Sequence, residues 1–167
     1  MDLRDKLTQR FGVREVKAIV AEVNNDDTLK RELYTLLYDT DETVAYQAAW
    51  VLTHLRKQEN PWLRDRQDEM IDEAMTCAHT GKRRLLMTLI NRFPLAVPLR
   101  TDFLDYCLGR INTLMEPPAI RSLSIKLAYE MCRHYPELLE ELRLTLDMLE
   151  PRQQPPSIRS VRRHVNK

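Results

Sequence analysis

Residues 117–122 read PPAIRS, and residues 155–160 read PPSIRS. The two stretches lie 38 positions apart and differ only at Ala119 against Ser157. A corner written twice at such a spacing constrains the chain to a series of similar units. Stepping back by 38 from Ile158 reaches Ile120, Lys82 and Val44, and from Val165 it reaches Leu127, Leu89 and Val51. Leu52, Ile90 and Ala128 make a third ladder, and Leu55, Phe93 and Met131 a fourth. Within one unit, Val44, Ala48, Val51, Leu52 and Leu55 are spaced as one face of a helix. Another helix precedes each of these, because Leu33, Met70, Leu108 and Leu146 recur at steps of 37 or 38, as do Leu36, Ile111 and Leu149. Lys82 and Glu73 are polar exceptions on otherwise apolar ladders.

The spacing predicts helix pairs at 27–38 with 42–58, 61–77 with 81–93, 100–114 with 117–134, and 136–149 with 155–166. Two further helices, 2–11 and 13–24, meet at Gly12. Residues 1–167 then form one helical-repeat domain, with 1–25 as capping helices and 26–167 as repeats of about 38 residues. The punctuation agrees. Asp41 is placed to cap a helix N-terminus, and Pro61, Pro117–Pro118, Pro136 and Pro155–Pro156 stand at helix starts, where a missing N–H costs little. The double proline stops one helix, turns the chain and launches the next, whose isoleucine enters the core.

With only three glycines in 167 residues, turn-rich sheet is disfavoured. Three cysteines, an odd and low number, fit reduced thiols and a cytoplasmic protein. The start, MDLRDKLTQRFG, has no apolar signal-peptide core, and no segment is long and apolar enough to predict a membrane span.

The stretches DETVAYQAAWVLTHL at 41–55 and PPAIRSLSIKLAYEM at 117–131 resemble the HEAT and armadillo families of helical repeats. The resemblance covers about residues 26–167. It implies an all-α fold, an α–α superhelix: a short right-handed solenoid of about four helix pairs plus the N-terminal pair. In such folds the second helix of each pair lines the concave side. The implied activity is that of a non-catalytic interaction module for a protein or peptide partner.

On helix 42–58 the residues opposite the core direction are Tyr46, Trp50, Thr53 and Lys57. Steps of 38 extend the row to Arg84, Thr88 and Asn91, then Ser122, Lys126, Tyr129 and Arg133, then Ser160, His164 and Lys167. The row contains no acid. The first helices of the pairs are acidic by contrast: 64–73 holds five acids against two arginines, and 136–150 five against one. Residues 81–93 and 157–167 each hold four basic residues and no acid. The near balance of 26 basic and 25 acidic residues hides this segregation. One reading makes it a solvated surface with weak ion pairs, each contributing about 0–1 kcal/mol. The other makes the row a partner-binding face of Tyr46, Trp50, Lys57, Arg84, Lys126, Tyr129, Arg133 and His164, since cations interleaved with aromatics suit an acidic peptide or a polyanion.

Catalytic chemistry is weakly signalled. Cys77-x-His79 and Cys132-x-His134 suggest metal ligands, yet residues two apart on a helix project about 200° away from each other. Neither a phosphate-cradling glycine loop nor a nucleophile elbow is present. No catalytic residue, metal ligand or cofactor is assigned. Bacterial DNA alkylation-repair glycosylases are similar in architecture and in carrying a basic concave face, which implies nucleic acid as an alternative partner. The chain departs from them in being shorter and in lacking a carboxylate on the row, Glu130 lying at its flank.

Overall fold

The computed structural model describes residues 1–56, 61–95, 98–149 and 154–167. Among them are ten α-helices and no strand. These are α1 (Leu3–Thr8), α2 (Val13–Val23), α3 (Asp27–Thr35), α4 (Glu42–His54), α5 (Gln67–Thr76), α6 (Thr80–Ile90), α7 (Thr101–Ile111), α8 (Pro118–Cys132), α9 (Pro136–Asp147) and α10 (Pro156–Val165). The expected order of helices is present, with shorter bounds. Leu36–Tyr38 tightens into 3₁₀ helix, and so does Pro61–Arg66 ahead of α5. Apolar spacing does not separate a 3₁₀ turn from an α-turn.

Local chemistry explains the helix starts. Asp41 accepts hydrogen bonds from the Thr43 and Val44 amides, as expected of an N-cap. Pro118, Pro136 and Pro156 each occupy the first turn of their helices. Gly12 caps α2, its amide donating to the Glu15 carboxylate at 2.8 Å.

The helices fall into two compact units, Met1–Arg92 and Phe93–Lys167. In the first, α4 is central and packs against α1, α2, α3 and α6. Val44, Ala45, Ala48, Ala49, Val51 and Leu52 are all buried, so most of its circumference is core. In the second, α8 plays the same part, packed by α7, α9 and α10. The ladders are interior: Val51, Leu89, Leu127 and Val165 are all buried, as are Val44, Ile120 and Ile158. Leu108 is only half-buried, because Leu104, Cys107 and Ile111 form the inward face of α7, and Phe93, beyond the end of α6, is half-buried as well.

Arginines close the carbonyl ends of neighbouring helices. Arg83 of α6 donates to the Ala74 carbonyl at 2.9 Å and to that of Cys77, at the end of α5. Arg121, 38 residues on, is 4% exposed; its Nε donates to the Ile111 carbonyl at 2.9 Å and its Nη2 to Gln154 Oε1 at 2.7 Å. Arg159, the next member of that series, is exposed. Arg162 reaches the Leu149 carbonyl in its place, at 3.4 Å. These bonds satisfy C-terminal carbonyls that have no partner within their own helix. The repeated hexapeptide therefore carries both a proline corner and, in its first copy, the arginine that fastens that corner.

Lys82 and Glu73 turn out to be partners. Lys82 is 6% exposed, and its Nζ meets Glu73 Oε1 at 2.8 Å. The two breaks in the ladders compensate each other across the α5–α6 hairpin. Replacing Glu73 by Leu strands a buried ammonium and is expected to cost about 1–3 kcal/mol. The double replacement Lys82→Ile and Glu73→Leu restores the apolar ladder and should lie within about 1 kcal/mol of the parent, or above it. Urea denaturation of the parent, the single variant and the double variant checks this.

Candidate functional site

The burial of α4 and α8 leaves each a narrow outward wedge, and the wedges carry the residues of interest. In the first unit, Tyr46 and Trp50 are half-buried on α4. The Tyr46 ring lies against His79, with centroids 5.0 Å apart and planes tilted by 33°. His79 is fixed by its own capping bond, Nδ1 accepting from the Lys82 amide at 3.0 Å. A Cβ at Gly81 would fall 2.9 Å from the Tyr46 ring and 3.0 Å from that of His79, so the glycine gives the rings room. Trp50 sits edge-on to Phe11 at 5.8 Å and to His54 at 6.2 Å. Arg84 of α6 is half-buried and makes no ion pair among the described residues. Lys57 lies outside the described residues.

The second unit carries Lys126, Tyr129 and Arg133 on or just past α8, and His164 on α10. Tyr129 is half-buried with its ring edge-on to His164, the centroids 5.3 Å apart and the planes at 77°. Lys126 is exposed and without an ion pair among the described residues. Arg133 is exposed, 3.6 Å from Glu130, and its Nε donates to His134 Nε2 at 3.2 Å. Ser122 corrects the expected row. It is 6% exposed, not outward, because α7, α9 and α10 crowd α8 until only the Lys126 and Arg133 side stays open.

Aromatic pairing thus gathers the candidates into local clusters: Tyr46 with His79, Trp50 with Phe11, and Tyr129 with His164. Phe11 and His79 were not singled out as contact residues by sequence. Their signals were faint, a phenylalanine beside a helix-capping glycine and a histidine at a capping position.

Among the described residues of the first unit, two cavities lie beside these helices. One, of about 210 Å³, lies beside the starts of α4 and α6 and is lined by Glu42, Glu73, Cys77, His79 and Lys82 among others. The other, of about 220 Å³, lies against α1 and α2 and is lined by Phe11, Ala18 and Ile19 with Lys6, Arg10 and Glu22. Neither gathers a metal-binding set. No group of three or more His, Cys, Asp or Glu that could hold an ion occurs among the described residues. The Cys77 thiol points at the His79 carbonyl, 3.8 Å away, rather than joining its imidazole. Cys132 is buried and His134 exposed, so that pair also diverges.

The thiols are poor nucleophiles. Burial pushes the Cys107 thiol far up, raises that of Cys77, and lifts Cys132 to about 11. At neutral pH all three are protonated, whereas attack needs the thiolate.

A family model described as the HEAT repeat domain matches residues 3–167. The chain belongs to this family. No curated protein and no solved structure matches it. A HEAT repeat domain is a helical module that presents rigid surfaces for interaction. Among the described residues no helix is long and apolar enough to cross a membrane.

Two outcomes are expected. Trp50→Ala should cost about 1–3 kcal/mol in a thermal or urea melt, less than the ~3–5 of a fully buried aromatic, because only the edge contacts and half the area are lost. In native protein at pH 7, iodoacetamide should modify Cys77 first, with Cys107 and Cys132 reacting only on unfolding. Mass spectrometry of timed digests reads the order.

Proposed function

We propose that this HEAT repeat domain is a non-catalytic interaction module that binds acidic protein segments at two clusters, one of Tyr46, Trp50 and Arg84 in the first unit and one of Lys126, Tyr129, Arg133 and His164 in the second. The observation that carries this reading is the state of Arg84 and Lys126. Arg84 lies on α6, which packs against the α4 that carries Tyr46 and Trp50, Lys126 lies one turn before Tyr129 on α8, and neither is neutralised by a carboxylate among the described residues. An unpaired cation next to an aromatic edge attracts a carboxylate, while the ring supplies apolar area to the backbone or side chain that carries it. The aromatic groups are already held by their ring partners, so binding orders few side chains and loses little entropy. Three unpaired cysteines support a reducing compartment as the place of action.

The test is a titration of the purified chain with a Glu-rich amphipathic peptide and, separately, with a duplex DNA oligonucleotide. The peptide should bind with modest salt dependence. The double reversal Arg84→Glu and Lys126→Glu should abolish that binding by like-charge repulsion while moving stability by no more than about 0.5 kcal/mol. Tighter binding of the duplex, falling with salt at a log–log slope near −0.9 per phosphate contacted, would replace the peptide by nucleic acid as partner. Unchanged peptide affinity in the double reversal would remove both clusters from the binding event.

A further inference from the structure

α9 has two opposite faces, and the fold uses one of them. Leu142 and Leu146 are buried, and the helix packs against α7 and α8. With 3.6 residues per turn, Glu137, Glu141, Leu144 and Met148 fall in one strip on the other side, with Glu140 and Asp147 along its edge. All six are exposed, Leu144 by 56% and Met148 by 79%. The strip runs from the first turn of α9 to its C-cap, about 16 Å at 1.5 Å per residue. It holds acids and large apolar side chains and no base.

The rest of the second unit leaves most of this strip uncovered. Asp147 meets Arg162 of α10 at 3.3 Å. Arg162 also donates to the Leu149 carbonyl, and Arg143 donates to that of Val165, both at 3.4 Å. These bonds lie along the C-terminal half of α9, so Glu137–Glu141 stand beyond the end of α10. Glu137, Glu140 and Glu141 make no ion pair among the described residues.

Helix stability accounts for little of the pattern. Glu137 lies in the first turn, where a carboxylate suits the helix dipole. Glu140 and Glu141 are past that turn, where the effect has faded. Leu144 and Met148 gain nothing from facing water, and covering them together would remove apolar surface from it. We propose that this strip of α9 docks a basic amphipathic helix of a partner protein. Apolar side chains of that helix cover Leu144 and Met148, and its lysines or arginines face Glu137, Glu140 and Glu141. Charge selects the occupant: the strip offers no cation to an acidic segment or a polyanion, and its acids repel both. A helix is the fitting form, because side chains spaced by turns along α9 meet side chains spaced by turns on a helix laid beside it. The strip thus takes a partner of opposite charge to that taken by the two clusters above, which belong to other helices.

The test is fluorescence anisotropy with a labelled synthetic peptide as long as the strip, carrying leucines one turn apart in one half and lysines one turn apart in the other. A scrambled peptide of the same composition is the control. The patterned peptide should bind at least about tenfold more tightly than the scrambled one. Leu144→Gln with Met148→Gln, which keeps good helix formers, should weaken binding at least about tenfold, and so should Glu140→Lys with Glu141→Lys. Glu130→Lys makes the same kind of charge change on α8, off the strip, and should leave the affinity within about twofold. Circular-dichroism melts of each variant should match the parent, since every replaced residue is exposed. Equal binding of the two peptides, indifference to the Leu144 and Met148 replacements, or an equal loss in Glu130→Lys would overturn the proposal. Sedimentation velocity of the chain alone should give the 19.8 kDa monomer. A dimer that the Leu144 and Met148 replacements abolish would give the strip to a second copy and overturn it as well.

Discussion

Arginine side chains that close the carbonyl ends of adjacent helices hold these hairpins together. A helix leaves its last carbonyls without internal partners, and in a packed hairpin those groups lie where water cannot satisfy all of them. Arg83 serves the end of α5, Arg121 that of α7, and Arg162 the residue Leu149 beyond α9. Arg92, just past α6, reaches back to the Leu52, Thr53 and Leu55 carbonyls at the end of α4. With the ends pinned, α6 has one height along α5, and α8 one along α7. The apolar ladders can then meet at a constant register. Remove the bracket, and Leu89 or Leu127 could still be buried, but not at one defined height.

That division of labour explains what was legible from the chain. The ladders are spaced by the fold itself, so Val44, Ile120 and Ile158, or Val51, Leu89, Leu127 and Val165, could be read as interior without a structure. Polar positions on a ladder could not be read in the same way. Lys82 and Glu73 looked like decay of the repeat, whereas they are joined across the α5–α6 hairpin. Sequence spacing shows that each residue occupies an inward position. It does not show that two inward positions on different ladders touch. The arginine brackets were hidden for a related reason. Position 83, 121 and 159 share a letter, yet Arg159 faces solvent and Arg162 takes the bond, since one helical turn separates the two solutions.

The candidate face was legible in direction and less so in detail. Wheel arithmetic treats a helix as a cylinder with one buried side. It served for Lys126 and Arg133, which are exposed, and failed for Ser122, which is buried because α8 has neighbours on three sides. Trp50 defeats the choice between core and contact altogether. Its indole is half-buried against Phe11, a residue some forty positions earlier that no local pattern could join to it. The aromatic residues of a surface patch are often anchored this way, with one edge in the fold and the other free, which keeps a contact surface rigid before any partner arrives.

Segregated charge has a consequence that the net charge conceals. If acids and bases alternated along every helix, each would be neutralised by its neighbours, and the surface would be inert to charged partners. Here intramolecular pairing is selective. Lys82 with Glu73, Arg110 with Glu116 and Arg162 with Asp147 are spent on holding helices together. Arg84, Lys126, Arg159, Arg163 and Lys167 are not. The Lys82–Glu73 pair is shielded by packing, and salt weakens it little. The unspent charges face water, where salt screens interactions over a Debye length of about 8 Å at physiological ionic strength. Salt therefore acts on these unspent charges far more than on the buried pair that joins α5 to α6.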